Sequence, residues 1–413
     1  MKICIMTFGT RGDVQPYVAL GRGLQAAGYE VTIATLAEFR SLVIDYGLQH
    51  DVLRGDFLKA AQAAEQQSAA GKRGNPLKLF RQYIQMARDT LADEWASAQK
   101  AEVLIYNSAA LGGYHIAEKM GIPAFASFPA PLYSPTREFP SPFLPFRNLG
   151  PFNKLSHRLF AAMGPAMYRR PIRDWRRDVL GLPSAKGEDR LRGKPVTTLY
   201  AYSEAVLPRP ADWDESSVVT GYWFLDAPHD WQPDPALVKF LQSGSPPVYV
   251  GFGSMFMQGG VRKTEIILKA LRLAGRRGVV ATGWGGLSAS ITSDGIFVLD
   301  AAPHDWLFPQ VAAVVHHGGA GTTGAALQAG KPTVVCPLVG DQPFWGRRLD
   351  ALGVGPSPLS RRQFTAEKLA EAIARAVTDQ GIRQRAAALG AIIRAEDGVG
   401  NAVALINRQV SSQ

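Results

Sequence analysis

Cysteine is almost missing from this chain of 413 residues: Cys4 and Cys336 are the only two. They lie far apart in sequence, each inside an apolar run, so buried thiols in a reducing cytosol are expected rather than a disulfide framework. No apolar stretch reaches the 18 or so residues of a membrane-spanning helix. At the start, only Ile3 to Phe8 lean apolar before Gly9-Thr10-Arg11-Gly12-Asp13 stops the run. No secretory signal is read there, and a cytoplasmic protein is expected. Acidic residues are the scarcer charge, 35 against 45 Lys and Arg, a formal net charge of +10. That excess asks for an anionic partner: a nucleotide diphosphate, an acidic membrane surface or nucleic acid. Neither zinc-ligand spacing nor an RNA-recognition signature is present, which makes nucleic acid the weakest of the three.

What is present is ordinary globular material, 46% hydrophobic and 19% charged, in a chain too long for one core. Short apolar runs alternate with helical patterns, the mark of parallel α/β architecture. Strands are expected at Lys2–Phe8, Glu30–Ala34, Val103–Tyr106, Pro123–Phe128, Thr197–Tyr202 and Val218–Trp223, with helices at Val14–Ala27, Ala37–Tyr46, Ala109–Met120 and Asn153–Leu180. The alternation restarts at Pro247–Phe252 and runs through Gly278–Ala281, Ile296–Leu299, Ala313–His316 and Thr333–Cys336 to a helical end, Thr365–Gln409. Two domains follow, 1–224 and 236–395, joined by a proline-rich linker at 225–235, with 396–413 packing back on the first. Segment 129–152 holds seven prolines among aromatics and reads as a long ordered loop.

The chemistry is concentrated where strands end. After the first strand the spacing is Gly-x-x-Gly, not GxGxxG, and the second ends Ile33-Ala34-Thr35 without an acid, so a nicotinamide site is not supported. Asp13 has two readings, a helix cap or a general base at the mouth of an interdomain cleft. In the second half, Val314-Val315-His316-His317-Gly318-Gly319-Ala320-Gly321-Thr322-Thr323 runs from a strand through small residues into a helix. Free backbone N–H groups and the positive dipole end there suit a diphosphate, with His317 and Thr322 adding donors. Ser254, at the end of the first strand of that half, is within the same reading. Asp341-Gln342 offers acceptors and donors for sugar hydroxyls, helix capping by Asp341 being the alternative. Asp212-Trp213-Asp214 has the letters of a divalent-ion site but stands in a polar loop far from the phosphate turn, and no metal is expected. The dense cluster Arg169 to Arg177, with Trp175 inside it, reads as a solvated helix face or as a peripheral contact with anionic lipid.

Together these motifs resemble glycosyltransferase family 1, in its branch of sterol glucosyltransferases and antibiotic glycosyltransferases. The resemblance rests on Gly9 to Pro16, Thr136 to Pro140, Gly283 to Leu287 and above all the block from Pro303 to Gly346. It implies the GT-B fold, two facing Rossmann-like domains with parallel sheets and a cleft between them. It implies an inverting, metal-independent transfer of a hexose, glucose from UDP-glucose being favoured, to a hydroxyl of a sterol, triterpenoid or polyketide. No cofactor is expected; the UDP-sugar is a co-substrate. By the same resemblance Asp13 is the base, although members that use histidine carry it at this position. His317, Gly319, Gly321 and Thr322 match the diphosphate positions, and Asp341 and Gln342 those of the sugar. Trp284, Ala302, Pro303 and His304 match the nucleoside region, with core packing an alternative for Trp284. Arg11, Phe128, Tyr133, Phe139 and Phe143 are assigned to a lipophilic acceptor, unless these aromatics simply pin the 129–152 loop to the body. A dTDP-deoxysugar enzyme, an epimerase and a non-catalytic sugar-nucleotide binder are the rivals. An enzyme that collects its acceptor at the inner face of a membrane fits the hydrophobic loop and the basic cluster together.

Overall fold

The computed structural model describes residues 1–55, 76–107, 109–163, 168–185, 187, 190–253, 260–282 and 294–411, the side chains of 76–79 and 260–261 aside. Two parallel sheets carry it. The first is built from β1 (Lys2–Met6), β2 (Glu30–Leu36), β3 (Gln49–Leu53), β4 (Val103–Tyr106), β5 (Ala124–Phe128), β8 (Thr197–Tyr200) and β9 (Ser217–Val219), a short hairpin of β6 (Arg190–Leu191) and β7 (Lys194–Pro195) lying outside it. Its order is β3-β2-β1-β4-β5-β8-β9. Central strands such as Ile3-Cys4-Ile5-Met6 are buried on both faces, as helices on both sides of a parallel sheet require. The second sheet runs β12 (Ile296–Leu299), β11 (Gly278–Ala281), β10 (Val248–Gly251), β13 (Ala313–His316) and β14 (Thr333–Val335).

Strand order reverses direction between β1 and β4 in the first sheet and between β10 and β13 in the second. At such a switch point the flanking loops part to opposite faces and leave a crevice beyond the carboxyl ends of the strands. The Gly9–Asp13 turn leaves β1 at the first crevice, and the His317–Gly319 turn leaves β13 at the second.

The last helix, Gly398–Ser411, lies against the first, Arg11–Ala26. Gly23 is required there, because a β-carbon on it would run into Val399. Asn407 Oδ1 accepts from the Tyr29 hydroxyl at 2.6 Å, and Asn401 donates to the Thr220 carbonyl at 3.0 Å. Between the sheets, Tyr46 donates to the Asp226 carbonyl at 2.5 Å and Ala227 N–H to Asp305 at 2.9 Å, so the start of the connecting segment is tied to both halves. Asp234 then caps the helix Pro235–Gln242 through Ala236 N–H.

Several elements differ from the sequence reading. Strand β3 and the helix Pro76–Ala98 were not expected: β3 is a polar edge strand, Gln-His-Asp-Val-Leu, without an apolar run to announce it. The single helix expected over 153–180 is two, Asn153–Met163 and Arg169–Asp178, with Gly164-Pro165 in the sequence between them. The strand expected at Val218–Trp223 ends at Val219, because Thr220 turns away and takes the Trp223 indole N–H on its hydroxyl at 3.0 Å. Trp175 is buried rather than poised at an interface. Beside it Arg176, also buried, donates to Glu118 at 2.7 Å and to the Pro183 carbonyl.

Candidate active site

Asp13 stands in the first turn of the helix that leaves β1. Gly9 has φ +131°, a backbone region that side chains avoid, and a β-carbon there would collide with the Asp13 carboxylate. The Thr10 N–H donates to Asp13 Oδ2 at 2.7 Å and the Thr10 hydroxyl to the same atom at 3.0 Å. Asp13 therefore belongs to a helix cap, and it also stands where β1 ends at the switch point. Asn107, at the end of β4, ties this turn down. Its amide donates to Thr7 Oγ1 at 3.0 Å and to the Phe8 carbonyl at 2.9 Å, while Thr7 donates to the Asp13 carbonyl at 2.7 Å. Sequence reasoning missed Asn107, whose only trace was a polar residue directly after an apolar strand.

In the second half, Gly319 is the N-cap of the helix Ala320–Gln328 and supplies no side-chain cap. A β-carbon on Gly319 would stand 2.5 Å from His317 Nε2, whereas one on Gly321 would meet nothing within 4 Å. The imidazole thus folds over the turn, and space is open above the first helical residues. His317 Nδ1 and Thr323 Oγ1 are buried with no hydrogen-bond partner among the described residues. His316 behind it takes the Gly318 N–H on Nδ1 at 3.0 Å, which puts its own proton on Nε2.

Burial pushes His317 down to about 4, and His304 to about 4 with Arg11 and His317 adding to the effect. These imidazoles are neutral at pH 7. What a neutral His317 offers an anion is an N–H dipole and not a full charge. Arg11, assigned above to the acceptor, is close enough to His304 to depress it, which brings this cation near the second half. His304 itself stacks on Phe308 at 4.2 Å and meets Tyr249 edge-on at 6.0 Å, just after Ala302 and Pro303. Ser254 and Trp284, with the Gly283–Leu287 motif, lie outside the described residues.

Asp341 ends the loop after β14. Its Oδ2 accepts from the Trp345 indole at 2.9 Å. Burial pushes it up to about 6, and the charge on Asp13 adds to the rise. Burial raises Asp13 too, against the Thr10 hydrogen bonds that favour its charged form. The Asp341 carboxylate of the second half is therefore within electrostatic reach of Asp13 in the first. Gln342 is buried, and its Oε1 accepts from Leu338 and Val339 N–H at 2.8 and 3.1 Å, which fixes the loop and leaves the amide NH2 for a ligand.

The acceptor aromatics divide into two groups. Phe128 is buried under Tyr133, stacked at 4.2 Å, in a cluster with Tyr200 and Trp213 that pins the start of the loop. Phe139 and Phe143 instead reach the second half: Phe139 meets Phe344 at 5.5 Å, and Phe143 lies beside Gly340. Asp212 accepts from the Thr136 hydroxyl at 2.6 Å, from Arg137 N–H at 3.1 Å and from Lys154 at 3.3 Å, so its carboxylate is spent on holding the same loop.

This arrangement has relatives. Residues 3–137 match the glycosyltransferase family 28 N-terminal domain, and residues 285–398 the erythromycin biosynthesis protein CIII-like C-terminal domain. The chain is 36% identical to the sterol 3-beta-glucosyltransferase UGT80B1 of Arabidopsis thaliana, over 99% of this chain and 68% of that protein. The chain belongs to this family, the sterol and antibiotic branch of the GT-B glycosyltransferases. It is also 36% identical to UGT80A2 of the same plant over 98% of its own length, and spans 64% of that relative. Among solved structures, the glycosyltransferase of kitacinnamycin superposes with a TM-score of 0.73 at 20% identity, covering 99% of both chains. The glycosyltransferase VinC, solved with dTDP, superposes with a TM-score of 0.69 at 19% identity over the whole of both chains. These likenesses establish the GT-B fold that the sequence motifs implied.

Proposed function

We propose that this chain transfers a hexose from a nucleotide diphosphate, UDP-glucose first among candidates, to a hydroxyl of a lipophilic acceptor with inversion at the anomeric carbon. The observations that carry the reading are an Asp13 whose charge reaches Asp341 in the other half and an uncapped helix N-terminus roofed by His317. Family membership supports the activity, and the names of the sterol glucosyltransferase relatives support the sugar and the acceptor class.

In this mechanism Asp13 takes the proton of the acceptor hydroxyl while its oxygen attacks the anomeric carbon. The bond from that carbon to the phosphate oxygen breaks on the opposite face, and the diphosphate leaves with the electron pair. Both Thr10 donors occupy Oδ2, which leaves Oδ1 to receive the proton. Desolvation makes Asp13 a stronger base than a carboxylate in water. The departing charge is met by the N–H groups at the start of Ala320–Gln328, by the His317 imidazole and by Thr322. No step calls on a metal ion. Asp341 and the Gln342 amide hold sugar hydroxyls, with Ala302, Pro303 and His304 beside the nucleoside. Phe139 and Phe143 supply apolar surface to the acceptor, and Arg11 faces the donor side.

The test is release of UDP from UDP-glucose with EDTA present, against sterols, triterpenoids and macrolides, with the product linkage read by NMR. A β-glucoside formed without metal supports every part. An α-glucoside, or release abolished by EDTA, contradicts the mechanism. A dTDP-sugar donor is the second reading, favoured by the dTDP complex of VinC, and parallel assays with dTDP-glucose separate the two.

A further inference from the structure

The helix Asn153–Met163 buries one face and leaves the other bare. Asn153, Ser156 and His157 are buried. On the opposite side Leu155, Leu159 and Met163, spaced four apart and so stacked along one stripe, are 47%, 57% and 71% exposed. Phe152, one residue before the helix, is 62% exposed, and Phe146 in the adjoining loop 52%. Large apolar side chains gathered in this way mark a surface with something to cover it.

The charge around this stripe says what covers it. Residues 139–173 contain six Lys or Arg and no Asp or Glu; Arg147, Lys154, Arg170 and Arg173 pair with Asp350, Asp212 and Asp174, while Arg158 and Arg169 have no acidic partner among the described residues. Arg158 is exposed on the same helix. Arg169 reaches back to donate to the Ala162 carbonyl at 3.0 Å, which holds it at the end of the stripe. Apolar side chains bordered by arginines match a bilayer interface with anionic headgroups, the hydrocarbon taking the former and the phosphates the latter. A second copy of the chain is disfavoured, because two-fold pairing would bring together two arginine-bordered patches with no acidic residue of 139–173 to offset them. The basic cluster of the sequence reading thus contributes Arg169, while its Trp175 and Arg176 belong to the core.

The surface is also continuous with the crevice. Phe160, on the inner side of the helix, stacks on Phe143 at 4.3 Å, and Phe143 lies beside Gly340, next to Asp341. We propose that Phe146, Phe152, Leu155, Leu159 and Met163, bordered by Arg158 and Arg169, seat the protein on an anionic bilayer. A lipid-dissolved acceptor then enters the crevice past Phe160 and Phe143. The entry path rests on the acceptor class proposed above; the docking surface does not.

The experiment is flotation of the full chain with phosphatidylcholine vesicles, with and without phosphatidylglycerol, at low and high salt. The wild type is expected to float with phosphatidylglycerol vesicles and to be released by salt. Leu159→Glu/Met163→Glu is expected to lower partitioning by about tenfold or more. Arg158→Gln/Arg169→Gln is expected to erase the preference for phosphatidylglycerol. Thermal melts and UDP titration of each variant report an intact fold and donor site whatever the transfer assays show, so failure of the docking surface and failure of the proposed reaction are read separately. A nitrobenzoxadiazole probe on Leu159→Cys is expected to shift to the blue on vesicles and provides a readout that needs no charge substitution. The proposal is overturned if the wild type does not float, if Leu159→Glu/Met163→Glu floats as well as wild type, if the probe does not respond, or if size exclusion shows a dimer that this variant dissolves.

Discussion

The two halves build the same device, a strand, a tight glycine turn and a helix at a switch point, and finish it in opposite ways. In the first half the helix end is closed from within: Asp13 takes both Thr10 donors, and Gly9 at φ +131° makes room for its carboxylate. In the second half the end stays open. Gly319 caps without a side chain, Gly321 faces empty space, and the polar atoms around them lack partners among the described residues. A closed end carries its own negative charge and suits a base; an open end waits for someone else's. One architecture thus gives two complementary helix ends, differing in whether an acid stands at the third helical position.

Breaking the closed half is expected to have the largest effect. Asp13→Asn keeps a cap in place, so the protein folds and binds UDP, yet turnover falls by about 10²–10⁴-fold. Initial rates with calorimetry check this, and near-normal turnover would remove Asp13 from the mechanism. In the open half, His317→Ala withdraws one donor from the diphosphate, and UDP affinity should drop by about 10–100-fold. Gly319→Ala should act in the same direction because its methyl displaces the imidazole. Unchanged calorimetric affinity in both would mean that the open end is not where the diphosphate sits.

Asp341 sharpens the comparison through pH. Its folded value, about 6, lies above the ordinary carboxylate range, so in the empty protein it costs stability once ionised. That cost is absent below pH 4, grows as the pH rises towards 6, and is complete above it. Asp341→Asn should therefore stabilise the ligand-free protein by about 1–3 kcal/mol at pH 8 and by almost nothing at pH 4. Denaturant titrations at the two pH values decide; equal effects at both would remove the buried charge as the cause. Thr10→Ala should be mildest, losing about 1 kcal/mol of cap stability. It also removes a bond to the ionised form of Asp13, so the acid limb of kcat/KM should move to higher pH. A limb that stays put would separate the cap from the base.

Much of this was legible in the residues. Alternating apolar runs gave both sheets because a buried parallel strand has to be apolar on both faces, and the turns Gly9–Asp13 and His317–Gly319 followed from glycine beside polar residues at strand ends. Strand β3 and the helix Pro76–Ala98 escaped, since an edge strand is half solvated and its letters resemble a loop. The acceptor aromatics looked alike as letters, yet Phe128 went into the core while Phe143 reached Gly340 in the other half. Trp175 and Arg176 read as a surface cluster, and Glu118, 58 residues away in sequence, drew the arginine inward.

The sequence by itself determined the parallel α/β class, the family motifs and the residue types at each strand end, because these depend on local periodicity and turn chemistry. Only the tertiary structure decided which end is closed and which is open, that the charge of Asp13 reaches Asp341 and that of Arg11 reaches His304, and that Leu155, Leu159 and Met163 stay bare. Each of those depends on distances between segments far apart in the chain, and burial, charge coupling and exposure come into being only when the segments meet.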